Sequence, residues 1–327
     1  MKERDHSIDI MKFLAVIFVS ISHMEPIFGK YAALASGGAL GDGLFFFCSG
    51  YTLLLGNNKL DFANWYKRRI NRIYPSVFCW CLLSCIFFNR HFDALDIVRK
   101  GGGWFVSAIM VYYVLLYFIK KYMLGRMWIV YLIAAILILG WYFLGYDYEG
   151  RSEYFMYGQN YYRWTFYFVF MLMGAHVGYL KNSQSKQYNT NISLNLIGIV
   201  GGVSLWAIIL VFVKQSAEIA QWQLMSVLPL YYAVFCMYRL CNNQRIVHDY
   251  QIKRVHAVMF TVGGLCLEIY LQQPFTFWTG MNDWFPVNII PNFFILICFG
   301  YLIRTLGRIF HQTFKEEPYD WKAVFKL

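Results

Sequence analysis

Apolar residues in this chain are grouped into blocks about 20 residues long, and this grouping constrains the fold more than any other feature. An α-helix needs about 20 apolar residues to cross the hydrocarbon core of a bilayer, because it rises about 1.5 Å per residue. Soluble domains are about 45–50% apolar and about 25% charged, whereas this chain is 59% hydrophobic and 14% charged. The composition excludes a soluble fold, and the sequence predicts an all-α membrane protein.

Breaker residues and basic stretches divide the apolar blocks into about ten predicted membrane-spanning helices. We place these spans at residues 8–28, 38–55, 73–88, 104–119, 127–146, 161–180, 192–213, 219–239, 257–278 and 287–303. The connecting loops are short, so we expect one transmembrane domain over residues 1–327, ending in a short basic tail at residues 304–327. No cleavable signal peptide is expected, because no small-residue cleavage motif follows the first span.

The basic residues predict how these spans are oriented. With a cytoplasmic N-terminus, the inside segments hold about three times as many Lys and Arg residues as the outside segments, as the positive-inside rule requires. Both termini are therefore predicted to be cytoplasmic. The net charge of +11 agrees with this orientation and with contact to anionic lipid. No nucleic-acid-binding signature accompanies the charge, so we expect no nucleic-acid partner.

The eight cysteines do not form a recognisable functional pattern. All but Cys241 lie within apolar runs, and no two form a Cys-x-x-Cys pair. We interpret them as small buried apolar side chains, so neither a disulfide framework nor a metal site is predicted.

The first predicted span carries three ionisable residues, Asp9, Lys12 and His23. Such groups are costly inside a bilayer and are usually functional. At 100° per residue, these three residues and Ser20 fall within about 80° of one another, so a polar stripe about 21 Å long follows one helix face. The alternative is a snorkelling Asp9 and Lys12 pair with one histidine in the core. The alignment favours a functional stripe.

A basic stretch at residues 62–72 precedes the third span. Arg69 and Arg72 are spaced i, i+3, and Arg68 and Arg72 are spaced i, i+4, so both pairs share a helix face. Guanidinium groups placed in this way bind phosphate through paired hydrogen bonds. The alternative is an anchor to anionic lipid headgroups, and charge alone does not decide between the two.

The ninth span contains a carboxylate, Glu268, with Gln272 on the same helix face. A carboxylate in the middle of a membrane needs a partner, and we expect Lys12 or His23 to be that partner. Pro274 is expected to kink this helix.

Small and aromatic residues are concentrated at the start of the second span, residues 41–51. Glycines permit close helix approach, and phenylalanines fill the space between helices. Taken alone, this segment indicates helix packing.

Five motifs in order resemble the acyltransferase-3 family of bacterial multi-pass acyltransferases, over nearly the whole chain. The family has an acidic residue, a basic residue three positions later and a histidine near the end of the first helix. It then has Phe-Phe-x-x-Ser-Gly, Arg-x-x-Arg-x-x-Pro, a helix starting with Trp-Phe, and a late Tyr-Leu followed by His or Gln. The matching residues are Asp9, Lys12, His23, Phe45, Phe46, Ser49, Gly50, Arg69, Arg72, Pro75, Trp104, Phe105, Tyr270, Leu271 and either Gln272 or Gln273.

Three positions depart from the family pattern. Lys12 stands where the family usually has Arg, so a planar fork is replaced by a point charge. The acidic position two residues before the Phe pair is occupied by Gly43, with Asp42 one position earlier. The late histidine is absent.

The resemblance implies transfer of an acyl group, usually acetyl from acetyl-CoA, to a hydroxyl of a cell-envelope or exported carbohydrate. The expected acceptors are lipopolysaccharide, capsule or exopolysaccharide, and the expected location is the bacterial inner membrane. Acyl-CoA is expected as a substrate, with no permanently bound cofactor. His23 has the one side chain on the first helix that titrates near neutrality, so it is expected to deprotonate the acceptor hydroxyl or to take the acyl group itself.

The candidate site residues combine the resemblance with the position of each residue in the predicted spans. We assign catalysis to His23, Asp9, Lys12 and Glu268, and donor binding to Arg68, Arg69, Arg72, Tyr74 and Ser49.

Two other classes of function compete with acyl transfer. A transporter or flippase for a lipid-linked sugar would use the same polar residues to bind and release its substrate unchanged. A purely structural bundle predicts that Asp9, Lys12, His23 and Glu268 are individually dispensable.

Overall fold

A computed structural model of the chain describes residues 5–54, 61–146, 156–158, 160–183, 188, 190–215, 217–273 and 275–326. In these ranges all regular secondary structure is helical, with no strand, which confirms the predicted all-α class. The α-helices are α1 (His6–His23), α2 (Glu25–Phe28), α3 (Gly38–Leu54), α4 (Phe62–Phe88), α5 (Ala94–Arg99), α6 (Gly103–Tyr122), α7 (Met127–Gly145), α8 (Arg163–Ser183), α9 (Ile192–Val213), α10 (Ala217–Ala220), α11 (Val227–Cys241), α12 (Gln244–Gln251), α13 (Lys253–Gly264), α14 (Cys266–Gln272), α15 (Ile289–Thr313) and α16 (Trp321–Phe325). Short 3₁₀ turns occur at Gly29–Leu34, Leu124–Arg126, Gln221–Ser226 and Thr279–Trp284.

Several predicted helix boundaries differ from those observed, and two of them differ for the same reason. Helix α4 begins at Phe62 and includes the whole basic stretch, and α15 continues past Arg304 to Thr313. Lys and Arg are good helix formers, so a run of charge ends an apolar pattern without ending a helix. The residues expected to form a tail are therefore partly helical, and the Arg308 guanidinium donates to the Val324 carbonyl of α16 at 3.1 Å.

Seven helical stretches among the described residues are long and apolar enough to cross a membrane. They are His6–His23, Phe62–Phe88, Gly103–Tyr122, Leu124–Gly145, Ile192–Val213, Glu218–Cys241 and Ile289–Thr313. Two pairs of helices joined at sharp bends, Glu25–Leu34 with Gly38–Leu53 and Lys253–Gly264 with Cys266–Gln272, raise the number to nine if each pair is one span. The chain is thus a multi-pass membrane protein, and the predicted count of about ten is not confirmed.

The bend between α13 and α14 is 54° and lies at Leu265. Gly263 and Gly264 immediately precede it, and glycine pairs are a common cause of sharp helix bends. Pro274, where the sequence predicts a kink, lies outside the described residues. Because of the bend, α14, which carries Glu268, is not collinear with α13.

The described residues cluster into two compact units. Unit 1 contains Met1–Met11, Asp42–Asn57 and Phe118–His256, and unit 2 contains Lys12–Gly41, Asn58–Tyr117 and Ala257–Leu327. A single domain over the whole chain remains a prediction.

In unit 1, helices α3 and α8 pack with their backbones almost in contact. A Cβ atom added at Gly50 would lie 1.9 Å from the Met171 carbonyl oxygen, and one added at Gly174 would lie 1.9 Å from the Phe47 carbonyl oxygen. No side chain fits in such a space. The glycine of the Phe-Phe-x-x-Ser-Gly motif is therefore a packing residue, as the composition of this segment indicates.

Replacing Gly174 by Ala is expected to lower the thermal unfolding midpoint of the detergent-solubilised protein by roughly 5 °C. Overpacking costs about 1–3 kcal/mol, and each kcal/mol shifts the midpoint by about 2–4 °C in a chain of this size class. Gly140→Ala in α7 is the matched control, because an added Cβ there meets nothing within 4 Å. Equal unfolding midpoints for the two variants would contradict the close packing.

Candidate functional site

The polar stripe predicted on the first span lies on one continuous helix. Because α1 runs from His6 to His23 without a break, the residues of the stripe share one face. Asp9 is 6% exposed and Ser20 is fully buried, whereas the His23 side chain is exposed at the C-terminal end. The stripe is therefore buried at Asp9 and Ser20, and its side chains become exposed at His23.

In unit 2, the stripe meets the late Tyr-Leu-Gln-Gln motif. The Ser20 hydroxyl donates to Gln273 Oε1 at 3.2 Å, one helical turn before His23. Gln272 turns the other way, and its amide donates to the Leu296 carbonyl of α15 at 2.8 Å. The structure therefore selects Gln273, of the two glutamines left open by the sequence, as the residue beside α1. The Nε2 atom of Gln273 is buried and has no hydrogen-bond partner among the described residues.

Glu268 is buried in unit 2 at 4% exposure. Its Oε1 accepts a hydrogen bond from the Ser76 hydroxyl at 2.8 Å and lies 3.9 Å from Arg304 Nε. Its Oε2 is buried without a hydrogen-bond partner in the described part of the chain. The expectation that Lys12 or His23 is its direct partner is wrong, because α4 and α15 supply the contacts to this carboxylate.

Three cations from three helices lie in this region. Lys12 on α1, Arg72 on α4 and Arg304 on α15 all lie near Cys266, which is two residues from Glu268. Elements far apart in the sequence thus bring three positive charges and one negative charge together within unit 2. We call Lys12, Arg72, Arg304 and Glu268 the charged cluster.

Two glycines explain why Arg304 points into this cluster. Gly300, Arg304 and Gly307 are spaced i, i+4 and i+7, which places them on one face of α15. A Cβ added at Gly307 would lie 3.2 Å from the Ser76 nitrogen, and one at Gly300 would lie 3.1 Å from an Ile269 side chain. The glycines let α15 approach α4 and α14, and the arginine between them faces Glu268. Sequence reasoning missed Arg304, because it counted this residue in the basic tail.

The arginines of the predicted donor site are close together on α4. The charges of Arg68 and Arg72 both act on Arg69, whose guanidinium lies 4.5 Å from the Trp65 ring centroid and 5.8 Å from that of Tyr113. Arg68 and Arg72 are exposed. The aromatic rings hold the Arg69 guanidinium in place, and the other two guanidiniums remain available to a ligand.

Two residues assigned to donor binding have other surroundings. The Tyr74 hydroxyl donates to the Val98 carbonyl of α5 at 3.2 Å, and Tyr74 is about 140° from Arg69 around α4. Ser49 belongs to unit 1, where its carbonyl accepts from the Thr52 hydroxyl at 3.1 Å. Neither contact supports a role in binding the donor.

Unit 1 contributes two polar contacts of its own. The Tyr250 hydroxyl donates to Asp9 Oδ2 at 3.4 Å, and Tyr250 is almost fully buried beside the rings of His6 and His256. Tyr250 had no sequence signal, because a lone tyrosine in a short amphipathic helix is not distinctive. Asp42, the displaced acidic residue of the motif, lies within reach of the charge of Arg163.

Replacing Glu268 by Gln is expected to destabilise the protein by about 2 kcal/mol, less than the 3–5 kcal/mol for breaking a fully buried pair, because Arg304 is 22% exposed. The amide oxygen retains the bond from Ser76, so only the negative charge is lost. Glu25→Gln, at an exposed site in the same unit, is the control. If thermal unfolding gives both variants the stability of the wild type, the carboxylate does not balance the three cations.

Comparison with known proteins identifies the family of the chain. No curated protein matches the chain. No solved structure matches it either. A family model described as an acyltransferase domain matches residues 5–307, which include the whole of the candidate site. The chain therefore belongs to the acyltransferase-3 family, as its motifs indicate.

Proposed function

We propose that this protein transfers an acyl group, acetyl in the first instance, from acyl-CoA to a hydroxyl of a cell-envelope or exported polysaccharide. We place it in the inner membrane of a bacterium. Membership of the family supports acyl transfer in general. The charged cluster is the observation that carries the proposal, because three cations near a single carboxylate give a surplus of positive charge that suits a polyanionic donor.

Acyl-CoA carries several phosphate groups, and charge-assisted hydrogen bonds to phosphate are roughly twice as strong as neutral ones. We propose that Arg69 and Arg72 bind these phosphates, with Arg68 beside them. Arg69 is already oriented by Trp65 and Tyr113, so little of its freedom is lost on binding. Lys12 and Arg304 extend the positive charge from α4 towards α14.

The reaction forms an ester bond between the acceptor oxygen and the acyl carbon, and breaks the thioester bond to CoA. The hydroxyl proton passes to the His23 imidazole, and the departing thiolate takes up a proton to give the CoA thiol. A hydroxyl needs such a base, which contributes about 10²–10⁴ in rate. The exposure of His23 leaves it accessible to an acceptor.

The acyl group must also travel from the charged cluster, which includes Lys12, to His23 at the C-terminal end of α1. Lys12 and His23 are separated by about 16 Å along the helix axis. Either the pantetheine arm of the donor extends along the stripe, or His23 itself takes the acyl group and passes it to the acceptor. Ser20 and Gln273 lie along this path, and the unpaired amide of Gln273 offers a donor to a passing carbonyl oxygen.

Mass spectrometry of envelope glycans tests this function in cells. Glycans from wild-type cells should be heavier than those from deletion cells by one acyl group per modified sugar, and the mass difference identifies the group. A plasmid copy should restore the difference, and a His23→Gln copy should not. Glycans that are reduced in amount but unchanged in mass would support the transporter alternative.

The orientation has a separate test. We propose about ten spans with both termini in the cytoplasm, because the inside segments hold most of the basic residues. A reporter fused after Gly150 should be found outside, and one fused after Leu327 should be found inside. Reporters on the same side of the membrane would refute this orientation.

A further inference from the structure

Unit 2 contains a cavity that the proposed reaction does not use. Its volume is about 570 Å³, and it lies between α4, α5 and α15. The walls are mainly apolar, with Ile70 and Phe78 on α4, Phe310 on α15, and Phe314 immediately after α15. The Phe78 and Phe310 rings are stacked with their centroids 4.4 Å apart, and Phe314 is 75% exposed. An apolar ligand can therefore pack against the stacked rings of Phe78 and Phe310 and reach the solvent-accessible side of the cavity at Phe314.

Two lysines line the same cavity. Lys67 projects from α4, and Lys315 follows the end of α15, with Asn71 and His311 beside them. No carboxylate is among the residues that line it. Lysine can lay its aliphatic stem along an apolar wall while its ammonium group stays at the rim. The cavity thus has an apolar body and a positively charged rim.

The cavity faces away from Arg69 and Arg72, the two arginines proposed to bind the donor phosphates. Lys67, Asn71 and Phe78 share one helix face. Around the helix axis, Arg69 and Ser76 lie about 140–180° from this face, Arg72 about 100–140° and Arg68 about 60–100°. A donor bound by Arg69 and Arg72 therefore does not occupy this cavity. The predominance of apolar walls also suits hydrocarbon better than the polar phosphates and sugar of a nucleotide.

We propose that this cavity binds an anionic glycerophospholipid, with its phosphate at Lys67 and Lys315 and an acyl chain against Phe78 and Phe310. Basic pockets between membrane helices are suited to acidic lipid headgroups, and the rim has the complementary charge. Lys315 lies just after the end of α15, where the apolar sequence of this helix gives way to polar residues. The lipid stabilises the packing of α15 on α4 and hence the placement of Arg304. This proposal does not rest on the acyl-transfer reaction.

Native mass spectrometry of the delipidated full-length protein tests the proposal. Dioleoyl phosphatidylglycerol, dioleoyl phosphatidylcholine and glycerol 3-phosphate are added separately. We expect one phosphatidylglycerol to bind at least tenfold more tightly than phosphatidylcholine, and glycerol 3-phosphate to compete poorly. The Lys67→Ala, Lys315→Ala double variant should lose about tenfold or more in affinity for phosphatidylglycerol, since each cation near a headgroup contributes about 1 kcal/mol. The Lys120→Ala, Lys121→Ala variant loses the same charge at α6 and should bind as the wild type does.

Three outcomes would overturn the proposal. Equal affinities for phosphatidylglycerol and phosphatidylcholine would show that the lysines do not favour an anionic headgroup. Unchanged affinity of the Lys67→Ala, Lys315→Ala variant for phosphatidylglycerol would place the lipid elsewhere. Displacement of the lipid by glycerol 3-phosphate at the lipid's own concentration would make the cavity a site for free phosphate. Because lipid binding is measured without turnover, failure here leaves the proposed acyl transfer intact.

Discussion

Replacing His23 by Ala is expected to lower the rate of acyl transfer by about 10²–10⁴, the contribution typical of a positioned general base. The fall should appear in kcat, while the affinity for acyl-CoA stays unchanged, because the arginines of α4 and not His23 bind the donor. The protein should still insert into the membrane, since the side chain lies exposed at the end of α1. Steady-state rates and equilibrium donor binding, measured on the same preparation, separate these two effects.

The control for this prediction is His248→Ala, at an 81% exposed histidine of α12, which should transfer at the wild-type rate. Rapid quenching of the wild-type enzyme before acceptor is added distinguishes the two roles of His23. A trapped acyl-imidazole supports the carrier role, and its absence supports the base. A His23→Gln protein that acylates as fast as the wild type would refute both roles.

Replacing Arg72 by Ala is expected to weaken acetyl-CoA binding roughly tenfold to hundredfold, since a hydrogen bond to a charged group contributes about 1.5–3 kcal/mol. Arg72→Lys should recover only part of this loss, because an ammonium group cannot form the paired hydrogen bonds of a guanidinium. Isothermal titration calorimetry of the detergent-solubilised protein measures both variants. Arg72 is exposed on α4, so neither change disturbs the packing of the helix.

Arg126→Ala provides the matched control for the donor site. Arg126 is also exposed, but it lies in unit 1 between α6 and α7, and its loss should leave donor affinity unchanged. Equal affinities for wild type, Arg72→Ala and Arg126→Ala would make the arginine cluster an anchor to lipid headgroups, which is the alternative that charge alone left open.

The long helices were predictable because hydropathy reports directly on burial in a bilayer. The span at Ile192–Val213 has the predicted bounds, since apolar residues fill it and polar residues flank it on both sides. Prediction was less successful where charge enters a helix. The basic turns of α4 and the last turns of α15 are helical despite their polarity, because backbone hydrogen bonding and not apolarity decides where a helix ends.

Three of the four members of the charged cluster were also predictable from the sequence. Lys12 and Glu268 stood out as ionisable residues inside predicted spans, and Arg72 belonged to a recognisable motif. Arg304 was not predictable in the same way. Its position depends on the close approach of α15 to α4 and α14 through Gly300 and Gly307, and contacts between distant helices leave no periodic signal in one chain.

The partner of Glu268 shows the same limit. A search along the sequence favours the other ionisable residues already found, whereas the structure supplies the Ser76 hydroxyl and Arg304. Serine is common in apolar helices and gives no signal by itself. The choice between Gln272 and Gln273 likewise required the direction of α14 after its bend at Leu265.

Transfer of label from acetyl-CoA to glycan, by the purified protein in liposomes, tests the central claim most directly. The acceptor is envelope glycan extracted from deletion cells, and the donor is acetyl-CoA labelled in its acetyl group. We expect label in ester linkage to the glycan, one CoA thiol released for each ester formed, and neither product with the His23→Ala protein. Glycan that crosses the liposome membrane without gaining label, and without release of CoA, would contradict the account and identify a transporter.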